Sequence, residues 1–314
     1  MKKYVYIIIL FFFPIISFGQ KQENFNKLIE KINHCLLEYD KLTPLGSTYH
    51  YYPINGSGLS KQKIKELSKD KDAYYYYEEH LSANKDSIQE YYMIIFFQGE
   101  IESLLDKIIK HPDFFKNDIT NIIKGDVLSI VKSDDNKLFN FSFDAKTGGS
   151  YRAQISKMYY IDTENSKVID LNQTDNSIFA SDGYSRIYTL RTIEGTKYVL
   201  DGFVRGCNYC FETFVQLIKF DGNEFIEEFM LSVNNRDWND GITYNHEEKA
   251  IYVDYHIDDL TPNCYCSEEE FNYDKFDENQ KEINCKCKYI FDGKNFELVE
   301  VHWKVIDNKN IEEE

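Results

Sequence analysis

Leu217-Ile-Lys-Phe-Asp-Gly-Asn-Glu-Phe225 and Lys288-Tyr-Ile-Phe-Asp-Gly-Lys-Asn-Phe296 are two versions of one phrase, an apolar run broken by Asp-Gly. Asp-Gly between apolar runs marks a tight β-hairpin, because glycine takes the positive φ such turns need. A looser third version, Tyr159-Tyr-Ile-Asp-Thr-Glu-Asn165, puts turn aspartates at Asp162, Asp221 and Asp292, 59 and 71 residues apart. An acidic insert of 18 residues, 267–284, lies in the longer interval. Another strand-turn-strand segment precedes each hairpin, at Ser133-Asp-Asp-Asn-Lys-Leu-Phe139, Glu194-Gly-Thr-Lys-Tyr-Val-Leu200 and Glu247-Glu-Lys-Ala-Ile-Tyr-Val253. The repeat predicts three units of about four antiparallel strands. Closed propellers need at least four such units, so the expectation is an open propeller-like stack or a curved sandwich.

Upstream of the repeats the periodicity changes. Phe25, Leu28, Ile29, Ile32, Cys35, Leu36 and Tyr39 recur at helical spacing, which predicts an amphipathic helix with Cys35 on or beside its buried stripe. Residues 41–60 carry Pro44, Gly46, Pro53, Gly56 and Gly58 and read as loop, with a short helix at 61–68. The run Tyr74–Tyr77 reads as a strand or a packed helix face. Ser87–Phe97, rich in isoleucine and aromatics, reads as a strand. Ile101, Leu104, Leu105, Ile108 and Ile109 mark a helix that Pro112 ends. The fold class is therefore α+β: a helix-containing region over 20–125, then a β-rich domain over 126–314.

The first nineteen residues read as an export signal. Lys2 and Lys3 precede an uncharged apolar core from Tyr4 to Ile16, and Ser17-Phe18-Gly19 supplies small residues before Gln20. That core is shorter than the ~20 apolar residues of a membrane span, and no cysteine follows it directly to carry a lipid. The expected mature chain of 295 residues is periplasmic or secreted, with no stable membrane insertion after cleavage. It keeps 34 Lys and Arg against 53 Asp and Glu, a charge of −19 that repels nucleic acid and anionic lipid. Twenty-five tyrosines and twenty-three phenylalanines argue for a folded, strand-rich chain.

Residues 127–230 carry a short pattern of turns and strands. It comprises Ser133 to Asp135, the aromatic strand Phe139–Phe143, Asp144 with Thr147-Gly148-Gly149, Tyr184–Tyr188, and Tyr198 to Gly202. This third of the chain resembles exported bacterial β-rich proteins with an Asp-x-x-Thr-Gly-Gly turn, to which no activity is attached. The resemblance implies a fold and transfers no catalytic residue.

Six of seven cysteines fall in three close pairs, Cys207/Cys210, Cys264/Cys266 and Cys285/Cys287, leaving Cys35 as the spare. In an oxidising compartment such pairs read first as disulfides. If the strands bearing the last two pairs lie antiparallel, Cys264–Cys287 and Cys266–Cys285 form a two-rung ladder, with Cys207–Cys210 closing locally. By chain entropy, closing the insert is worth about 3 kcal/mol. Four thiolates on facing turns also suit tetrahedral Zn²⁺. Redox exchange is the third reading, against which Cys207-x-x-Cys210 lacks the helix N-terminus that lowers a thiol pKa.

Ile251, Val253, Tyr255 and Ile257 alternate with Tyr252, Asp254, His256 and Asp258, which predicts a half-buried strand. Its polar side would space Asp254, His256 and Asp258 about 7 Å apart, a column open to divalent metal or acid–base chemistry, or simply to solvent. Asp237-Trp-Asn-Asp240-Gly241 is out of step with a calcium loop. There is no phosphate loop, nucleophile elbow or dinucleotide fingerprint. The expected function is a non-catalytic binding or structural protein that needs no cofactor and recognises a protein, glycan or peptide. The alternative is a metal-dependent hydrolase centred on Asp254, His256 and Asp258.

Overall fold

The Asp-Gly phrases form near-identical turns. Gly222 and Gly293 have φ of 105° and 106°. Asp221 Oδ1 accepts the amides of Asn223 at 2.8 Å and Glu224 at 2.9 Å, and Asp292 Oδ1 accepts those of Lys294 and Asn295, both at 2.7 Å. Asp162 makes the corresponding bond to the Asn165 amide at 3.1 Å without a glycine. The aspartate therefore defines the turn, and the glycine relieves its backbone where φ is positive.

The computed structural model describes residues 23–44, 50–53, 59–67, 87–147, 153–163, 165, 167–172, 178–179, 181–205, 211–235, 241–257 and 281–307. The expected export signal and the Tyr74–Tyr77 run lie outside these residues. The helical region comprises α1 (Phe25–Asp40), α2 (Lys61–Leu67), α3 (Glu90–Ile109) and α4 (Ile119–Ile122), with a small ladder between β1 (Tyr51–Pro53) and β2 (Ser87–Gln89). Three four-stranded sheets follow. The first is β3 (Leu128–Lys132), β4 (Leu138–Asp144), β5 (Gln154–Asp162) and β6 (Lys167–Asp170). The second is β7 (Gly183–Thr192), β8 (Gly195–Arg205), β9 (Phe211–Phe220) and β10 (Phe225–Asn235), and the third is β11 (Gly241–Asn245), β12 (Ala250–Ile257), β13 (Lys281–Phe291) and β14 (Phe296–Asp307). Each is an antiparallel meander in chain order, and among the described residues no sheet closes into a barrel or propeller.

One expectation is corrected. Ser87–Phe97 is not a strand: β2 stops at Gln89 and α3 begins at Glu90. Tyr92, Met93, Phe97, Ile101, Leu104, Leu105 and Ile108 are all buried at helical spacing, packed with the buried stripe of α1. Continuity with the apolar stripe downstream outweighs the β-propensity of the isoleucines and aromatics.

Three apolar layers hold the stack together. Phe139, Phe141, Phe143, Tyr159 and Ile161 of the first sheet share one core with α1, α3 and the residues after them. Leu138, Met158 and Tyr160, on the other face, pack with Tyr184, Ile187, Tyr198, Leu200 and Phe214 of the second sheet. Val199, Val215, Leu217 and Val233 then meet Ile242, Ile251, Val253, Tyr255, Cys285 and Cys287 of the third. Phe139, Phe141 and Phe143 share one face of β4, and β4 is buried on both sides because it lies between helices and a second sheet.

Polar groups fix the register of these layers. Tyr39 Oη donates to the Asp144 carbonyl at 2.7 Å and Gln98 Nε2 to the Ala145 carbonyl at 2.8 Å, so the helices clasp the turn after β4. Ser133 bridges Ile187 in parallel, Thr189 N donates to Asp134 Oδ2 at 2.9 Å, and Tyr198 Oη to Asp135 Oδ2 at 2.9 Å. Asp182 takes the Gln154 amide at 3.2 Å and the Arg205 amide at 2.6 Å. These bonds make the Ser-x-Asp and Tyr-x-Leu-x-Gly segments a joint between the first and second sheets. Gly202 belongs to it for steric reasons, since a Cβ there would lie 2.1 Å from the Phe214 ring.

Candidate functional site

The predicted strand over Ile251–Ile257 is β12. Ile251, Val253 and Tyr255 are buried against the second sheet, and Tyr252, Asp254 and His256 lie on the outer, half-exposed face. Asp254 is already engaged there: Lys286 Nζ stands 2.5 Å from Oδ2 and Asn284 Nδ2 donates to Oδ1 at 2.7 Å. Asp258 lies outside the described residues. Among the described residues no three His, Cys, Asp or Glu side chains gather to hold a metal ion.

Cys285 and Cys287, two apart on β13, point to one face as their spacing requires. Both are buried, with Sγ atoms 3.7 Å apart, well beyond the ~2.05 Å of an S–S bond. No two cysteine sulfurs among the described residues stand at disulfide distance. Cys285 lies between Tyr255 of β12 and Trp303 of β14, and Cys287 between Val253 and Val301. At these positions β13 is flanked by β12 on one side and by β14 on the other. Cys207, Cys210, Cys264, Cys266, the Asp237–Asp240 segment and nearly all of the acidic insert lie outside the described residues. Cys35 packs against the helical core, and burial pushes its thiol pKa up to about 11.

A different group emerges between the second and third sheets. On β8, Tyr198 and Leu200 face the first sheet, so Val199 and Asp201 face the third. Asp201 Oδ1 is closed to solvent and has no hydrogen-bond partner. Arg186 of β7 is its cross-strand neighbour. Burial raises the Asp201 pKa to about 7, and the Arg186 charge offsets that only in part. Tyr188 packs edge-on against Tyr244 of β11, ring centroids 5.1 Å apart, and stacks on His246 at 5.0 Å. Burial, then the Asp201 charge, raises the pKa of both phenols. Buried acids with displaced pKa values are the usual marks of functional positions. The signal was present in the sequence as an aspartate inside the apolar run Tyr198-Val-Leu-Asp-Gly-Phe-Val204, sharing the parity of Val199.

Two grooves flank the helical region. One, of about 690 Å³, lies between the C-terminal half of α1 and residues 124–127, and Leu37 is exposed beside it. The other, of about 560 Å³, lies between the end of α3 and the β5–β6 turn, beside exposed Phe115. His111 in the second groove is spoken for, since Nδ1 accepts the Asp113 amide and Nε2 meets the Glu23 carbonyl, both at 3.1 Å. No described helix is long and apolar enough to cross a membrane. Comparison with protein-family models, with curated proteins and with solved structures finds no match for this chain.

Proposed function

We propose that the chain is an exported, non-catalytic β-rich module of the bacterial envelope or secretome, binding a protein, glycan or peptide ligand. Its three meanders form an open, propeller-like stack, with cysteine pairs serving as structural staples. The observation that carries this reading is the use to which charged groups are put. Asp134, Asp135, Asp182 and Lys197 join sheet to sheet, and Asp254 is held by Lys286 and Asn284. A hydrolase at Asp254 and His256 would need both partners of Asp254 to turn away.

Expression of the full chain with a C-terminal tag tests the proposal. A mature N-terminus at Gln20, disulfides by non-reducing mass spectrometry, and saturable binding on glycan or peptide arrays without turnover are expected. Hydrolysis of ester, phosphoester or glycoside substrates that depends on added Zn²⁺ or Mn²⁺ and is lost in His256→Ala would replace this reading with the hydrolase.

A further inference from the structure

We propose that Asp201 is a proton-operated latch between the second and third sheets, closed while the carboxyl carries its proton and loosened when the proton leaves. Asp201 stands on the β8 face that packs on the third sheet, in line with Val199, and its Cα partner on β9 is Val215. An acid there is at ease only when neutral, because an ionised oxygen closed to solvent and without a donor keeps its desolvation cost.

The surrounding groups do not supply that donor. β7 contributes Arg186 and Tyr188, β11 contributes Tyr244, the β11–β12 turn contributes His246, and β12 contributes Tyr255. Asp134, in the β3–β4 turn, adds a second negative charge near Tyr188. Arg186 is exposed and stands further than an ion pair from the carboxylate, so its attraction is diluted by solvent. The raised phenol pKa values keep Tyr188 and Tyr244 neutral through the physiological range.

The direction of the response follows by linkage. The Asp201 pKa rises from 3.8 in its unperturbed form to about 7 in the folded chain. Between those values the folded state holds a proton that the unfolded state has lost. Stability therefore falls as pH rises from about 4 to about 7 and levels off above. The strain is local, so it is relieved by parting the sheets where Tyr188 meets Tyr244. This holds whichever ligand the module binds.

The test compares the full-length mature chain with Asp201→Asn, which is near-isosteric and always neutral, and with His246→Asn. Urea unfolding and amide hydrogen exchange over residues 198–203 and 241–245 are followed from pH 5 to 8.5. The wild type is expected to lose stability across that range, with exchange quickened about tenfold or more beyond the intrinsic pH effect. Asp201→Asn should be flat, and His246→Asn should follow the wild type. An Asp201→Asn slope equal to the wild-type slope, or a flat wild type, overturns the latch. If Asp201→Asn does not fold, carbon NMR titration of the wild-type Asp201 carboxyl decides, and a midpoint below pH 5 overturns it.

Discussion

The Lys197 ammonium has no solvent exposure and lies 2.7 Å from Glu228 Oε2, joining β8 to β10 across the intervening β9 of the second sheet. Glu194 Oε2 stands 3.0 Å away, and the Lys294 carbonyl in the β13–β14 turn accepts from the same nitrogen at 2.7 Å. Burial alone would lower the lysine pKa, but Glu228 and Glu194 outweigh it and hold the group charged. One side chain thus ties the second sheet to the Asp-Gly turn of the third.

Replacing it exposes how much of the stack depends on that tie. Lys197→Met keeps the aliphatic stem and leaves Glu228 and the Lys294 carbonyl without their donor. The expected loss is about 2 kcal/mol, below the ~3–5 kcal/mol of a fully buried broken pair because both glutamates keep part of their solvent. Urea denaturation measures it, and a change under ~0.5 kcal/mol would show the contact to be incidental.

Gly202 offers a steric prediction. Its backbone is ordinary, but the Phe214 ring occupies the place of a side chain. Gly202→Ala should cost about 2 kcal/mol by overpacking, and adding Phe214→Leu should recover at least half of that. Thermal unfolding of the two single variants and the double variant closes the cycle. Additive losses would mean that the ring is not what glycine accommodates.

Much of this architecture was legible because it is written in local chemistry. Asp162, Asp221 and Asp292 mark three hairpins by side-chain bonds that span three residues or fewer, and all three sheets are meanders in which neighbours in sequence are neighbours in space. What was hidden depends on contacts distant in sequence. Ser87–Phe97 has the composition of a strand, and only packing against α1 makes it helical. Asp201 looks like a surface residue until the third sheet covers it.

Cys35 should be inert as a thiol. Burial and the nearby Glu100 hold its pKa at about 11, so at pH 8 about one thiol in a thousand is ionised. In the folded chain, its alkylation by iodoacetamide should run at least about 100-fold slower than in urea. Peptide mapping after a short pulse reads the ratio, and equal rates would remove Cys35 from the packed face of α1.

Asp254 and Lys286 form an ion pair 2.5 Å apart on a face where both side chains are more than a third exposed, 39% and 59%. Exposed pairs contribute little, because solvent already satisfies each charge. Asp254→Asn keeps an acceptor for Asn284 and should change stability by no more than ~0.5 kcal/mol. The same variant separates the two functional readings. A solvated strand face binds Zn²⁺ or Mn²⁺ no better with Asp254 than without it, so calorimetric titration of the two proteins should superimpose. A site in which Asp254 ligates a metal would lose affinity by tenfold or more on the substitution, about 1.4 kcal/mol at least, and the metal would protect the wild type alone against urea.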